Sequence, residues 1–159
     1  LNREFIFFKV PFVGKISAGI PNISYEDISE FSFFPIEKRL IHKNKKYFSL
    51  QVEGESMINS GILHDDFILV EESMDVKNNQ IVVARLYDNE FTVKRFVTKN
   101  TPLFKKCESI LNEKNIALNP KTKAYLFPEN PVFLPTPFGL SDGDKIIGFV
   151  RSLYRNHIL

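Results

Sequence analysis

Eight consecutive residues constrain this chain more than any others: Gln80-Ile81-Val82-Val83-Ala84-Arg85-Leu86-Tyr87, a near-continuous apolar run. A strand with one wet face alternates apolar and polar residues, so an unbroken run implies cover on both faces. Asp88-Asn89 follows, a pair that tolerates positive φ and suits a hairpin turn, and Glu90 to Val97 reads as the return strand. The chain must therefore build a sheet with a buried middle.

Other segments supply the rest of that sheet. Residues 47–53 alternate, with Phe48, Leu50 and Val52 on one face and Ser49, Gln51 and Glu53 on the other. A polar turn, Gly61 to Asp66, leads into Phe67-Ile68-Leu69-Val70, a buried strand. Val10 to Ile16 reads as a strand with an edge proline. Ala124 to Phe127 and Val132 to Leu134 have strand character among prolines. Ser141 to Asp144 is a turn, and Lys145 to Leu153 is a last strong strand. Residues 1–9 read as a short lead and 23–46 as mostly loop. Residues 98–123 are lysine- and asparagine-rich. Within them Thr101-Pro102 resembles an N-cap followed by proline at the first helical position, and Phe104, Cys107 and Leu111 make one apolar face, so a short helix over 102–113 is expected. At 159 residues and 43% hydrophobic content this is one mainly β domain with little helix.

Composition removes several function classes. A net charge of +2 argues against a nucleic-acid-binding surface, and the cluster Lys38, Arg39, His42, Lys43, Lys45, Lys46 reads as a solvated loop. Cys107 is the single cysteine, so no intramolecular disulfide can form, which fits a reducing cytoplasm. With His42, His64 and His157 scattered, no metal-ligand spacing appears, and no cofactor is expected. No apolar run reaches the ~18–20 residues that span a bilayer, so no membrane association is expected. Residues 1–13 are broken by Arg3, Glu4 and Lys9, which excludes a signal peptide or anchor within them. A start at leucine suggests a piece of something longer.

The candidate chemistry lies where the 47–53 strand runs into Gly54-Glu55-Ser56. A glycine there lets other chain approach a serine hydroxyl closely. By itself Gly-x-Ser is a common turn, and a serine nucleophile needs a base. His64, beside Asp65 and Asp66, sits in a tight turn whose adjacent groups cannot easily line up with Ser56. Lys94 shares a strand face with Thr92 and Phe96, on the strand that pairs with the most apolar run. Either it is an exposed strand lysine, or it is desolvated and available as a neutral amine. Lowering a lysine from about 10.4 to about 7.5 costs roughly 4 kcal/mol, which a fold tolerates only for a purpose.

Taken together and in order, these residues carry a resemblance. Val52-Glu53-Gly54-Glu55-Ser56-Met57, Gly61-Ile62, Asp66, Leu69-Val70, Asp75-Val76, Gln80 to Arg85 and Phe91-Thr92-Val93-Lys94-Arg95 resemble the LexA/UmuD self-cleaving serine peptidases. Val10 to Pro21 is similar to that family's cleavage segment, with Ala18-Gly19 matching the scissile bond. Leu126 to Asn130, Phe133-Leu134-Pro135 and Ile146 to Arg151 match as well. The resemblance implies a single domain of short, strongly bent strands, with Ser56 as nucleophile, Lys94 as general base and the chain itself as substrate. Backbone N–H groups at the turn, of Ser56 or Met57, are the natural oxyanion donors. It divides the chain into a lead and cleavage segment, 1–22, and a peptidase and dimerisation domain, 23–159, with an atypical insertion at about 98–123. It further implies a homodimer through the Lys145–Leu153 strand, promotion of cleavage by the RecA filament after DNA damage (the SOS response), and contact with DNA only through an N-terminal domain absent from this sequence. The C-terminal part of a repressor is the leading reading. A UmuD-like partner of a translesion polymerase, a signal-peptidase-type enzyme acting in trans and a non-catalytic dimerisation module are the others. The sequence departs from the family pattern where His64-Asp65-Asp66 replaces Asp-Gly-Asp and Asn78-Asn79 replaces Asn-Gly.

Overall fold

The structure, a computed structural model, describes residues 3–15, 30–87 and 89–156. Along the chain these form β1 (Phe5–Lys15), β2 (Phe31–Glu37), β3 (Tyr47–Gln51), β4 (Phe67–Glu72), β5 (Ile81–Arg85), β6 (Phe91–Thr98), helix α1 (Pro102–Glu113), β7 (Ala124–Phe127), β8 (Thr136–Phe138) and β9 (Lys145–Tyr154). The nine strands make one sheet in the order β2-β1-β3-β4-β9-β5-β6-β7-β8. The fold is mainly β, as the strand-rich pattern implies.

The apolar run becomes β5, covered on both sides. Val83 joins Phe48, Leu50, Ile68 and Val93 in one core cluster. Val82 and Ala84 point the other way, into a cluster with Leu126, Phe138 and Ile146. Two-residue alternation with both faces buried is what removes polar residues from this segment. The β5–β6 hairpin turns at Asn89, whose φ is +64°. The two departures from the family's glycines are absorbed in the same way, with Asp65 at φ +68° and Asn79 at φ +73°. Asp and Asn are the residues that enter this left-handed region most cheaply after glycine.

The helix forms where expected. Thr101 Oγ1 accepts the Phe104 N–H at 3.3 Å, Pro102 occupies the first position, and Phe104, Cys107 and Leu111 are buried. They pack on Val97 and Tyr125, so the helix of the 98–123 stretch seals the end of β6 and β7 rather than standing off in solvent.

Three segments differ from the sequence reading. The lead is not a lead: β1 begins at Phe5. Of residues 23–46, the described part from residue 30 is not mostly loop, because β2 pairs antiparallel with β1 from Phe5↔Glu37 to Pro11↔Phe31 and a 3₁₀ turn follows at Lys38–Leu40. Period two is present in β2, with Ser32, Phe34 and Ile36 buried and Phe31, Phe33 and Pro35 exposed, but apolar residues on both faces hide it. Pro35 is tolerated because β2 is the sheet edge. Val132 to Leu134 is not a strand. Prolines 131 and 135 bracket it, Val132 is 83% exposed, and the strand instead lies at β8.

β9 runs through the centre of the sheet, between β4 and β5. It approaches β4 so closely that a Cβ on Gly148 would lie 2.3 Å from the Glu71 carbonyl oxygen. Among the described residues, β5 pairs with β9 only as far as Phe149, so Val150–Tyr154 keeps one unpaired edge. Among the described residues, no helix is long and apolar enough to cross a membrane.

Candidate active site

The Ser56 turn is closed on itself by side chains that the sequence pattern gives no way to pair. As β3 ends, Val52 N–H donates to Asp66 O and Asp65 N–H donates back to Val52 O, both at 2.8 Å. Gly54 then takes φ +90°, and its N–H donates to His64 Nδ1 at 2.9 Å. His64 thus serves as a brace for the turn, through its Nδ1, and not as a base for Ser56. Asp66 is fully buried, accepts the Leu63 N–H at 2.7 Å and pairs with Arg155, which also reaches Gly61 O at 3.0 Å. Met57 is only 2% exposed and anchors the turn in the core beside Val52 and Val93.

β6 brings Lys94 to this turn. Its Nζ donates to Ser56 Oγ at 2.9 Å, to Thr92 Oγ1 at 2.6 Å and to Val93 O at 3.1 Å. An ammonium has three protons for three acceptors. A neutral amine has two, which Thr92 and Val93 can take, leaving its lone pair for the Ser56 hydroxyl proton. The neutral form is accessible because burial lowers the Lys94 pKa from 10.5 to about 8. At pH 7 about one molecule in ten then carries the free amine, against about one in three thousand at the ordinary value. An open cleft of about 260 Å³ lies beside the pair, between the Val52–Met57 turn and the Glu90–Lys94 end of β6.

Ser56 and Lys94, 38 residues apart in the chain, are therefore brought into contact. Met57 lies next to them, its side chain turned into the core. Ala18 and Gly19 fall outside the described residues. The sequence reading missed three contributors. Asn130 Nδ2 donates to Glu55 O at 2.9 Å, Asn59 N–H donates to Glu129 O at 2.9 Å, and Glu129 pairs with Arg95. These links span 75, 70 and 34 residues, so no local pattern announces them. Among the described residues, no group of His, Cys, Asp and Glu could hold a metal ion.

Comparison with known proteins gives this geometry a setting. Residues 11–104 match the family model described as Peptidase S24-like. The LexA repressor of Clostridium novyi (strain NT) is 36% identical over 148 residues, covering 93% of this chain and 60% of that protein. The LexA repressor of Bacillus subtilis (strain 168) is 33% identical over 146 residues, covering 91% and 60%. That of Bacillus velezensis is 42% identical over 146 residues, with the same coverage. The chain thus spans about three-fifths of the length of these relatives. By the match of its family model over more than half its length, the chain belongs to the Peptidase S24-like family.

Proposed function

We propose that this chain is a LexA-like autoproteolytic serine peptidase domain, the C-terminal part of a transcriptional repressor, and that it cuts its own Ala18–Gly19 bond in the SOS response to DNA damage. The observation that carries the reading is the 2.9 Å contact between Lys94 Nζ and Ser56 Oγ, made by a lysine whose pKa burial has lowered to about 8.

The chemistry follows from that contact. Neutral Lys94 takes the Ser56 proton as Oγ attacks the Ala18 carbonyl carbon. The resulting oxyanion is held by backbone N–H groups of Ser56 or Met57. The Lys94 ammonium then protonates the Gly19 nitrogen, the C–N bond breaks, and an ester joins Ala18 to Ser56. A water molecule, deprotonated by Lys94, hydrolyses the ester and restores the serine. A substrate within the same chain can reach an effective molarity of ~10⁵–10⁸ M, so two side chains suffice. Delivery is supported by topology. β1 pairs parallel with β3, and Lys15 stands opposite Gln51, so β1 heads towards the Ser56 turn. Ala18 lies three residues beyond Lys15, about 10 Å of extended chain.

The partners of the reading are the chain itself as substrate, a second copy paired through the open Val150–Tyr154 edge of β9, and a RecA filament that favours the docked cleavage segment. DNA would be met through a further domain, and the site of action is the cytoplasm. The relatives' name, LexA repressor, is what supports a repressor over a UmuD-like polymerase subunit. The test is incubation at about pH 10, where even an ordinary lysine is partly neutral and Lys94, lowered to about 8, is almost wholly so. Mass spectrometry should find a cut after Ala18 that is lost in Ser56→Ala and in Lys94→Ala. A chain that stays whole at pH 10 overturns the proposal.

A further inference from the structure

The segment after β7 holds the Ser56 turn by its backbone on both sides of the serine. The Asn130 amide fixes the carbonyl of Glu55, immediately before Ser56. The carbonyl of Glu129 takes the N–H of Asn59, three residues after it. The Glu129 carboxylate pairs with Arg95, which also donates to Asn79 O at 2.6 Å. Arg95 is the chain neighbour of Lys94, and alternation places their side chains on opposite faces of β6. Arg95 also pairs with Phe127 in the β6–β7 ladder, so the 129–130 segment leaves the sheet beside the strand that bears the lysine. Asn130 is buried, and its Oδ1 accepts the Val132 N–H at 3.1 Å. An amide committed at both ends has one orientation. The bonds to His64 and Asp66 close the turn on itself, Arg155 ties its far end at Gly61 and Asp66 to the end of β9, and the packing of Met57 on Val93 is not directional.

We propose that Glu129 and Asn130 are positioning residues: they clamp the Ser56 turn to β6 and thereby set the separation of Ser56 Oγ from Lys94 Nζ. The inference rests on the peptidase reading for its chemistry, though not for its geometry.

Asn130→Asp is the informative variant. It keeps the side chain's size and the acceptor for Val132 N–H, and removes the donor to Glu55 O. Asn130→Ala removes the same donor without adding charge. First-order self-cleavage is followed from pH 6.5 to 10.5 in the wild-type chain and both variants, alongside their thermal unfolding. In both variants the plateau rate falls roughly ten- to hundredfold, the scale of an ångström's misplacement. The midpoint of the pH profile moves above 8, because a displaced turn admits water to the Lys94 amine. Unchanged profiles overturn the proposal. So does a slower rate that only tracks a smaller folded fraction with the midpoint unmoved. If the wild-type chain cuts itself at no pH, the peptidase reading fails, and the clamp is decided by the Lys94 titration, followed through its Cε signal in carbon-13 NMR. A higher midpoint in the variants supports the clamp, and an equal one overturns it.

Discussion

Replacing Lys94 with methionine removes the group on which the proposed chemistry depends, and should nevertheless stabilise the folded chain at neutral pH. Burial lowers the Lys94 pKa from 10.5 to about 8. At 1.36 kcal/mol per unit, keeping the charged amine folded at pH 7 costs about 3 kcal/mol. Between about pH 8 and 10.5 the unfolded chain binds the extra proton, so stability rises with pH across that window, and this contribution is flat below it and above it. Methionine keeps an apolar stem of similar reach and carries no charge. In a chain that already carries Ser56→Ala it gives up the bonds to Thr92 and Val93, worth about 1 kcal/mol each at most where the partners stay near water in the open cleft. The net gain at pH 7 is therefore about 1–2 kcal/mol, turning to a net loss near pH 10.5. The comparison is best made between Ser56→Ala and Ser56→Ala/Lys94→Met, so that neither protein cuts itself. Urea unfolding followed by circular dichroism at pH 7, 8, 9 and 10.5 gives the two stabilities. Their difference should change by about 3 kcal/mol over the series, whatever the hydrogen bonds are worth. A difference that stays constant with pH would refute the idea that Lys94 is held by desolvation.

Three further outcomes follow from the same structure. The first-order rate of self-cleavage should rise about tenfold per pH unit up to about pH 8 and then level off, since the neutral amine is the active form; Lys94→Arg, charged throughout, should stay uncut. Gly148→Ala should destabilise the chain by about 1–3 kcal/mol in denaturant unfolding, because its Cβ meets the Glu71 carbonyl and β9 cannot move away from β4 without opening the centre of the sheet. Cys107, buried against Tyr125 with its thiol pushed up to about 12 by desolvation, should resist a disulfide reagent in the native chain and react as one thiol in urea.

How much of this was legible depends on the range of the interactions. The β5 run, the β5–β6 hairpin and α1 are local patterns, and each forms where the sequence places it. Thr101, Pro102 and the Phe104–Cys107–Leu111 face suffice for the helix because all its determinants lie within one short segment. Ser56 and Lys94 were readable as a pair only through the family resemblance of the motifs around them, since neither turn nor strand marks its residue as reactive. The β3 alternation misled in one respect. Ser49, on the face read as wet, is fully buried and donates to Pro11 O at 3.1 Å, because β1 lies alongside in parallel. A parallel partner leaves no turn signal, as no short connection can make it. The bonds of Asn130 and Arg155 to the Ser56 turn are long-range for the same reason: a side chain that satisfies a distant carbonyl or carboxylate imposes no period on its own neighbours.

The completeness of the Ser56–Lys94 contact bears on where control of the proposed reaction can lie. The proposed nucleophile and base, Ser56 and Lys94, already stand 2.9 Å apart, and the turn is tied to the core, to Arg155 and to the 129–130 segment. A regulator has no dyad left to assemble. Two variables remain, the protonation of Lys94 and the delivery of Ala18. The first is set by burial and bulk pH, and a cell holds that pH nearly constant. The second is set by the chain that continues β1 beyond Lys15, the residue opposite Gln51. An effector that favours the docked segment by about 2.7 kcal/mol would raise cleavage about a hundredfold without touching either catalytic side chain. On the proposed reading, the site is kept ready and the substrate is the part that is switched.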